Sequence, residues 1–172
     1  MIAIFDIDGT LAIIDHRLHW IQTKPKNWKA FYSAAHEDEV HLPIASIMKD
    51  LAFAQNTIVI ATARNEKYRD DTAEWLQVNG LNVYDGLYMR KKKDFRPDYV
   101  VKSEMIGHIT KRFGFPDIWF DDKEDVINEL KKEGVFTIHV GRGVLETPVR
   151  APNESQGNHG FLSDGSRELQ AH

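Results

Sequence analysis

Acidic side chains follow two apolar runs of this sequence, at points where buried strands would end. The run at residues 2–6 leads into Asp6-Ile7-Asp8-Gly9-Thr10, and the run at residues 117–120 leads into Asp121-Asp122. A carboxylate can attack phosphorus and form an aspartyl-phosphate, which divides a difficult hydrolysis into two easier steps. The pattern therefore predicts phosphoryl chemistry with Asp6 as the nucleophile.

Such chemistry needs a divalent cation, because a carboxylate and a phosphate repel each other. Mg²⁺ suits this role, since it is a hard, octahedral ion that takes oxygen ligands and keeps several waters. Asp6, the backbone carbonyl of Asp8 and one of Asp121 and Asp122 can supply the protein ligands. Asp8, two residues after the nucleophile, can also protonate the leaving oxygen and then activate water.

Small and polar residues near these carboxylates fit the same reaction. Gly9 allows a tight turn beside the phosphate, and we expect Thr10 to help bind the substrate. A further apolar run at residues 58–61 leads to Thr62, whose hydroxyl can donate to a phosphoryl oxygen. A lysine is also expected, to offset negative charge on the nucleophile and the phosphoryl group. A lone Asp-x-Asp would equally fit a polar turn, but the agreement of three strand ends argues against that interpretation.

The elements that must position these groups alternate along the chain. The predicted strands are residues 2–6, 58–61, 117–120 and 135–140, and the predicted helices are residues 44–54, 68–78, 102–113 and 125–133. Strands that alternate with helices indicate βαβ units and an α/β fold with a parallel sheet. Ligands bind at the carboxyl ends of such strands, so the candidate groups are expected to converge there.

One segment interrupts the alternation. Residues 15–43 contain Trp20, Trp28 and several other aromatic and histidine side chains, and they predict a small helical cap insertion over the site. A simple surface crossover is the alternative. The core is then residues 1–14 and 44–145, and residues 146–172, rich in Gly, Pro, Asn and Ser, are predicted to be a flexible tail.

Composition bounds the function further. The 172 residues are 42% apolar and 28% charged, which is typical of a soluble globular domain. The net charge of -4 argues against non-specific coating of nucleic acid but allows a local basic patch. The absence of cysteine excludes a thiol nucleophile and a zinc-thiolate site. Without a signal peptide or an apolar run long enough to cross a membrane, a cytoplasmic protein is expected, in the host cytoplasm if phage-encoded.

The motifs carry a resemblance to a known superfamily. Phe5-Asp6-Ile7-Asp8-Gly9-Thr10-Leu11 resembles the first signature motif of the haloacid-dehalogenase (HAD) superfamily, and Thr62, Lys102 and Asp121-Asp122 match the other three. The resemblance spans residues 1–140 and implies a magnesium-dependent phosphatase with a three-layer, Rossmann-like core. It also implies that Asp122 binds the metal directly, with Asp121 behind it.

A closer similarity is to the phosphatase domain of bacteriophage polynucleotide kinases, which removes 3′-phosphates from nucleic-acid ends and nucleotides. It rests on residues 90–106 and on Phe120-Asp121-Asp122-Lys123. It implies that Arg17 and Arg64 contact the substrate phosphate and that Asp98 orients the basic groups around it. The sequence contains no Gly-x-x-x-x-Gly-Lys-[Ser/Thr] loop, so 5′-kinase activity is not expected.

Several alternatives remain open on the sequence alone. A 5′-(deoxy)nucleotidase acting on mononucleotides would use the same catalytic groups, and a catalytically silent HAD-fold binding protein would be expected to have lost some of them. Residues 90–93, with Arg96, could bind a nucleic-acid backbone or form a solvated loop. His16 and His19 have metal-ligand spacing, although such residues more often lie at a surface. The oligomeric state is not indicated.

Overall fold

A parallel sheet between two layers of helices forms the core of the protein. The computed structural model describes residues 1–141. Its strands are β1 (Ile2–Phe5), β2 (Ala12–Ile13), β3 (Glu39–Val40), β4 (Thr57–Asn65), β5 (Gly86–Arg90), β6 (Ile118–Asp121) and β7 (Thr137–His139). Its helices are α1 (His19–Gln22), α2 (Trp28–Ser33), α3 (Leu42–Phe53), α4 (Arg69–Val78), α5 (Asp98–Phe113) and α6 (Glu124–Lys132). The predicted tail at residues 146–172 lies outside the described residues.

The main sheet has the strand order β5-β4-β1-β6-β7, and every neighbouring pair is parallel. Strand β1 is central, with Ile4 opposite Val59 of β4 on one side and Trp119 of β6 on the other. A central parallel strand is covered on both faces, which explains why its sequence is continuously apolar. The predicted α/β fold with a parallel sheet is confirmed.

Side chains of the sheet alternate between two hydrophobic cores. Phe5 and Ile60 point toward the layer that contains α3 and α4, whereas Ile4 and Val59 point toward the layer that contains α5 and α6. The alternation follows from the two-residue period of a strand. Because all five strands are parallel, their carboxyl ends lie at the same edge of the sheet, where the candidate residues are found.

The structure differs from the sequence-based prediction in several elements. Strand β5 was not predicted, because it lies at the edge of the sheet and its partly exposed residues run directly into a lysine-rich segment. Helix α5 begins at Asp98, four residues before the predicted start at residue 102. The last predicted strand, residues 135–140, is shorter and covers Thr137–His139.

The insertion after β1 has a closed neck. Strands β2 and β3 pair antiparallel through Ala12 opposite Val40 and Ile13 opposite Glu39, so both ends of the segment are held together. Between them lie α1, α2 and two 3-10 turns. Because α3 begins at Leu42, the last two residues of the range assigned to the insertion belong to a core helix. None of the helices in residues 1–141 combines the length and the apolar character that crossing a bilayer requires.

Candidate active site

Three carboxylates meet at the carboxyl edge of the sheet. Asp6 directly follows β1, Asp121 ends β6 and Asp122 follows it, and one oxygen of each lies within 4.8 Å of the other two. Strands β1 and β6 are parallel neighbours, so their ends coincide. The structure therefore brings together the residues that the sequence placed at two separate strand ends.

The carboxylate oxygens differ in their partners. Asp121 is fully engaged, because Oδ2 accepts from the Lys102 amine at 2.6 Å and Oδ1 accepts from the backbone N–H of Lys123 at 3.2 Å. Among the described residues, the buried Oδ1 atoms of Asp6 and Asp122 have no hydrogen-bond partner. A buried polar atom without a partner costs about 1–3 kcal/mol. A cation would satisfy both atoms, and the all-oxygen donor set fits Mg²⁺.

Lys102 supplies the positive charge of the site. It lies in the second turn of α5 with a fully buried side chain, and its amine is 2.9 Å from Asp6 Oδ2 as well as 2.6 Å from Asp121. Burial alone would lower the pKa of Lys102, but the charges of Asp121 and Asp6 outweigh it and hold the pKa above its usual range. The lysine therefore stays protonated beside the candidate nucleophile.

The two carboxylates with unsatisfied oxygens resist ionisation when no metal is bound. Burial, the largest cause, together with the charges of Asp121, Asp122 and Asp8 outweighs the opposing charge of Lys102 and raises the pKa of Asp6 to about 7. Burial and the charge of Asp121 raise the pKa of Asp122 to about 6. A pair of carboxyl groups held in this state binds a cation with release of protons.

Gly9 lies against this cluster. Its φ is +85°, in the left-handed region, and a Cβ at this position would lie 2.2 Å from Asp122 Oδ2. Both the backbone conformation and the lack of space require glycine.

If the cluster performs the predicted phosphoryl chemistry, Gly9→Ala is expected to reduce turnover by about 100-fold or more, because the added methyl group displaces Asp122 by a large fraction of an ångström. Gly134→Ala is the matched control, since its φ is +84° but no atom lies within 4 Å of the added Cβ. Both variants should lose about 1–2 kcal/mol of unfolding free energy. Turnover is measured at saturating metal. Equal turnover of the two variants would contradict the prediction that the contact between the added Cβ and Asp122 causes the loss.

A second charged group lies next to the carboxylate cluster. Asp8 Oδ1 accepts from Arg17 Nη2 at 2.6 Å and from Arg64 Nε and Nη2 at 2.9 and 2.6 Å. Burial alone would raise the pKa of Asp8. The positive charges of Arg64 and Arg17, and the hydrogen bonds that they donate, instead hold this pKa well below its usual range. The sequence indicated all three residues, and the structure places them in contact.

Asp38 completes this group, and the sequence gave no sign of it. Its carboxylate binds Arg17 through Nε and Nη2, both at 2.6 Å, and Arg64 through Nη2 at 2.8 Å. Its backbone carbonyl accepts from the indole N–H of Trp75 at 2.9 Å. Arg17 and Asp38 both belong to the insertion and are buried, so the insertion reaches Asp8 through a paired buried arginine. The structure thus gives Arg17 two carboxylate partners within the protein.

Arg17→Ala is expected to lower the unfolding free energy by about 3–5 kcal/mol, since it leaves buried carboxylates without one of their partners. Adding Asp38→Asn should recover part of the loss by removing one of those charges. Arg69→Ala is the control, because the Arg69–Glu66 pair is about one-third exposed and its loss should cost less than about 1 kcal/mol. Chemical denaturation of the four proteins measures these differences, and equal losses for Arg17→Ala and Arg69→Ala would contradict the prediction.

Comparison with known proteins connects this geometry to a family. The family model described as the polynucleotide kinase PNKP phosphatase domain matches residues 1–144. The chain belongs to this family. It is therefore a phosphatase of the HAD type, and the expected superfamily and class of enzyme are confirmed.

Solved structures agree with this assignment. A chain of the Pnkp1/Rnl/Hen1 complex is 25% identical with a TM-score of 0.69, over 83% of this chain and 45% of that one. A chain of the Pnkp1/Rnl/Hen1 RNA repair complex is 25% identical with a TM-score of 0.67, over 83% of this chain and 42% of that one. This PNKP-family chain therefore spans less than half the length of either.

The HAD-like hydrolase SP0104 from Streptococcus pneumoniae shares the fold, with 14% identity and a TM-score of 0.60 over 83% of this chain and 87% of that one. A comparison with curated protein sequences gives no significant match.

Asp98 contacts two basic side chains of the core in this PNKP-family site. Its two carboxylate oxygens accept from Arg90 Nη2 and from the Lys123 amine. Burial alone would raise the pKa of Asp98, but Lys123, Lys102 and Arg90 hold it below its usual value. Asp98 therefore contacts basic groups, although Arg90 and Lys123 were not assigned to the site from sequence. Arg90 belongs to the basic cluster at residues 90–93, and Lys123 directly follows Asp121-Asp122, so the neighbouring sequence could have indicated both residues as part of the site.

The two threonines that the sequence assigned to the site, Thr10 and Thr62, are fully buried. Thr62 Oγ1 accepts from the backbone N–H of Arg64 at 3.3 Å, which orients the end of β4. Among the described residues, Thr10 Oγ1 has no partner. Burial and the charges of Asp8 and Asp98 raise the pKa of the hydroxyl of Tyr32, which belongs to the insertion, above its usual range.

Proposed function

We propose that the protein is a magnesium-dependent phosphomonoesterase that forms an aspartyl-phosphate on Asp6 and removes 3′-phosphates from nucleic-acid ends. The observation that carries the proposal is the pair of buried, unsatisfied oxygens on Asp6 and Asp122, next to the charged amine of Lys102. Such an arrangement favours a cation and an anionic phosphoryl group in the same place.

The proposed metal ligands are Asp6, Asp122 and the backbone carbonyl of Asp8. Asp121 acts behind them, because both of its oxygens already accept hydrogen bonds from Lys102 and Lys123. When bound, Mg²⁺ offsets the negative charge of the phosphoryl group and allows a carboxylate to approach it.

In the first step, a carboxylate oxygen of Asp6 attacks phosphorus, and the bond between phosphorus and the ester oxygen breaks. The leaving oxygen takes a proton from Asp8. In the second step, water attacks phosphorus and gives its proton to Asp8, and the bond between phosphorus and the Asp6 oxygen breaks, which releases inorganic phosphate and restores the Asp6 carboxylate. Lys102 stays protonated throughout and compensates charge on Asp6 and the transferred group.

Arg17 and Arg64 keep Asp8 ionised, which is the form in which it starts the second step, but the same contacts lower its affinity for a proton. The first step needs the acid form. We propose that the substrate phosphate competes for the Arg64 guanidinium and weakens its hold on Asp8, which raises the proton affinity of Asp8 when substrate is present. This gives Arg64 a place in substrate binding, and Arg17, which also binds Asp8, is proposed to assist it. Asp98 is proposed to orient Arg90 and Lys123.

The choice of a 3′-phosphate end rests on the resemblance described in the sequence analysis. Membership of the PNKP phosphatase-domain family and the likeness to a chain of an RNA repair complex support a nucleic-acid substrate. A nucleotidase acting on 5′-mononucleotides is the competing candidate, since it would use the same carboxylates and lysine. A catalytically silent binding module would be expected to have lost some of the catalytic residues, whereas the set Asp6, Asp8, Thr62, Lys102 and Asp122 is complete.

Phosphate release with Mg²⁺ from a matched set distinguishes these candidates. The set contains an oligonucleotide with a 3′-phosphate, the same oligonucleotide with a 5′-phosphate, and 3′- and 5′-mononucleotides. The proposal expects the highest kcat/KM for the 3′-phosphorylated species. A preference for 5′-mononucleotides would overturn the substrate assignment but keep the chemistry, and no release from any member or from p-nitrophenyl phosphate would overturn both.

A further inference from the structure

The lysine loop, residues 91–96, connects β5 to α5 and is fixed beside the site. The guanidinium of Arg90 donates to the carbonyl oxygens of Ala63 at 3.0 Å, Asp94 at 3.3 Å and Arg96 at 2.6 Å. The same guanidinium binds the Asp98 carboxylate, which also contacts Lys123 next to Asp122. One arginine therefore ties the loop backbone to the group that borders the metal ligands.

Two lysines of the loop have no compensating charge. Lys91 binds Glu104 at 2.7 Å, and Arg96 binds Asp94 and Glu104, both at 2.6 Å. By contrast, Lys92 and Lys93 are exposed and make no ion pair with any residue in the described part of the chain. The loop thus presents two free cations to solvent on a backbone that is held in place.

The conformation of Lys93 is unfavourable for its residue type. Its φ is +64°, and Asp94 N–H donates to the Lys91 carbonyl at 3.2 Å, so Lys93 occupies the turn position that favours Gly or Asn. A side chain with a Cβ costs about 1–2 kcal/mol in this region. Packing does not explain the lysine, because its side chain is exposed.

Phe95, in the same loop, is also unusually exposed for an aromatic residue, with 93% of its surface accessible. An exposed phenyl ring in the same loop as Lys92 and Lys93 can serve as a surface on which a base stacks. This combination is what proteins use to bind single-stranded nucleic acid, in which bases stack on aromatic rings and lysines contact the backbone.

We propose that the lysine loop binds the single-stranded segment that precedes the terminal phosphate. Lys92 and Lys93 contact backbone phosphates and Phe95 stacks on a base. The inference rests on the proposed function, which places the terminal phosphate at Asp6, and it extends that function by naming the residues that favour a polymer over a mononucleotide. A mononucleotide has no preceding phosphate for these lysines to contact.

Binding can be tested apart from turnover. The probe is a fluorescent single-stranded oligonucleotide with a 3′-hydroxyl, which a phosphomonoesterase cannot hydrolyse, titrated by anisotropy with Mg²⁺ present. Phe95→Ala is expected to raise Kd by roughly 5- to 150-fold, the range for loss of one stacked base. Lys92→Ala/Lys93→Ala is expected to reduce the slope of log K against log salt by about 1.4, which corresponds to two phosphates on a single strand.

Matched controls lie at the opposite edge of the sheet. Phe53 is 89% exposed at the end of α3, and Lys49 is exposed one turn earlier, so Phe53→Ala and Lys49→Ala repeat the same chemical changes away from the site. Lys93→Gly is a further test, because it removes the charge while relieving the left-handed strain. Its melting temperature should not fall, so weaker binding by this variant would support the proposal without a folding explanation.

Turnover provides the second readout. The loop variants should lower kcat/KM for a 3′-phosphorylated oligonucleotide and leave hydrolysis of a 3′-mononucleotide and of p-nitrophenyl phosphate unchanged. Wild-type binding of the oligonucleotide by the loop variants, or equal losses in the controls, would overturn the inference. Absence of hydrolysis of every substrate would overturn the proposed function instead, and the anisotropy result would still decide the role of the loop.

Discussion

Asp6→Asn is expected to reduce phosphate release by at least about 10⁴-fold, on aryl phosphates and oligonucleotides alike. The amide cannot form the aspartyl-phosphate, and it offers the metal only one neutral oxygen. Because the loss arises in the chemical step that all substrates share, it should be similar for every substrate tested. Release of phosphate from p-nitrophenyl phosphate at saturating Mg²⁺ gives the most direct measurement.

The fold should survive this substitution. Lys102 keeps its contact with Asp121 at 2.6 Å, and the variant removes one of several crowded carboxylates, so the melting temperature without metal should stay equal or rise. Asp50→Asn makes the same chemical change on the exposed surface of α3 and should retain full activity. Residual activity of Asp6→Asn within 100-fold of wild type, without deamidation back to Asp, would remove Asp6 from the role of nucleophile.

Magnesium affinity and thermal stability are expected to depend on pH together. With the pKa of Asp6 raised to about 7 and that of Asp122 to about 6, both groups bind protons when no metal is present at mildly acidic pH. The folded state then holds protons that the unfolded state has released above the ordinary value of 3.8. Metal-free protein should therefore lose stability as the pH rises from about 4 to about 7.

Mg²⁺ reverses this trend, because it binds only the ionised carboxylates. Its apparent affinity should increase between pH 5.5 and pH 8, with release of protons, and it should raise the melting temperature most at the alkaline end. Thermal unfolding with EDTA or with millimolar Mg²⁺ across this range measures both effects. Asp122→Asn should weaken the metal response, and a response that is independent of pH or of Asp122 would contradict the assigned ligands.

The meeting of the candidate carboxylates at one edge of the sheet could be predicted because their signal is local. Asp6 and Asp8 follow an apolar strand at fixed spacing, and Asp121-Asp122 follow another, so the rule for the ends of parallel strands was sufficient to bring them together. Asp38 could not be predicted in this way. Its partners Arg17 and Arg64 are 21 and 26 residues away, and only the path of the insertion brings the three together.

Edge strands and the boundaries of helices were harder to predict from the sequence than the central strands. Strand β5 has one sheet neighbour, so its sequence is less apolar than that of the central strands, and it gave no clear strand pattern. Asp98 was expected near the site, but not at the first residue of α5, from which its two oxygens reach Arg90 and Lys123. Its contacts depend on β5, which explains why the basic half of the site was underestimated from sequence.

The closed neck of the insertion and its buried Arg17–Asp38 pair have a consequence for engineering. Many enzymes tolerate exchange of a peripheral segment because few strong contacts cross the graft boundary. Here Arg17 crosses that boundary to reach Asp8, while Asp38 holds both Arg17 and Arg64 of the core. A chimera that replaces residues 15–40 without transplanting this arginine and aspartate as a unit would remove the Arg17 contact of Asp8 and leave Arg64 without Asp38, however well the new segment packs.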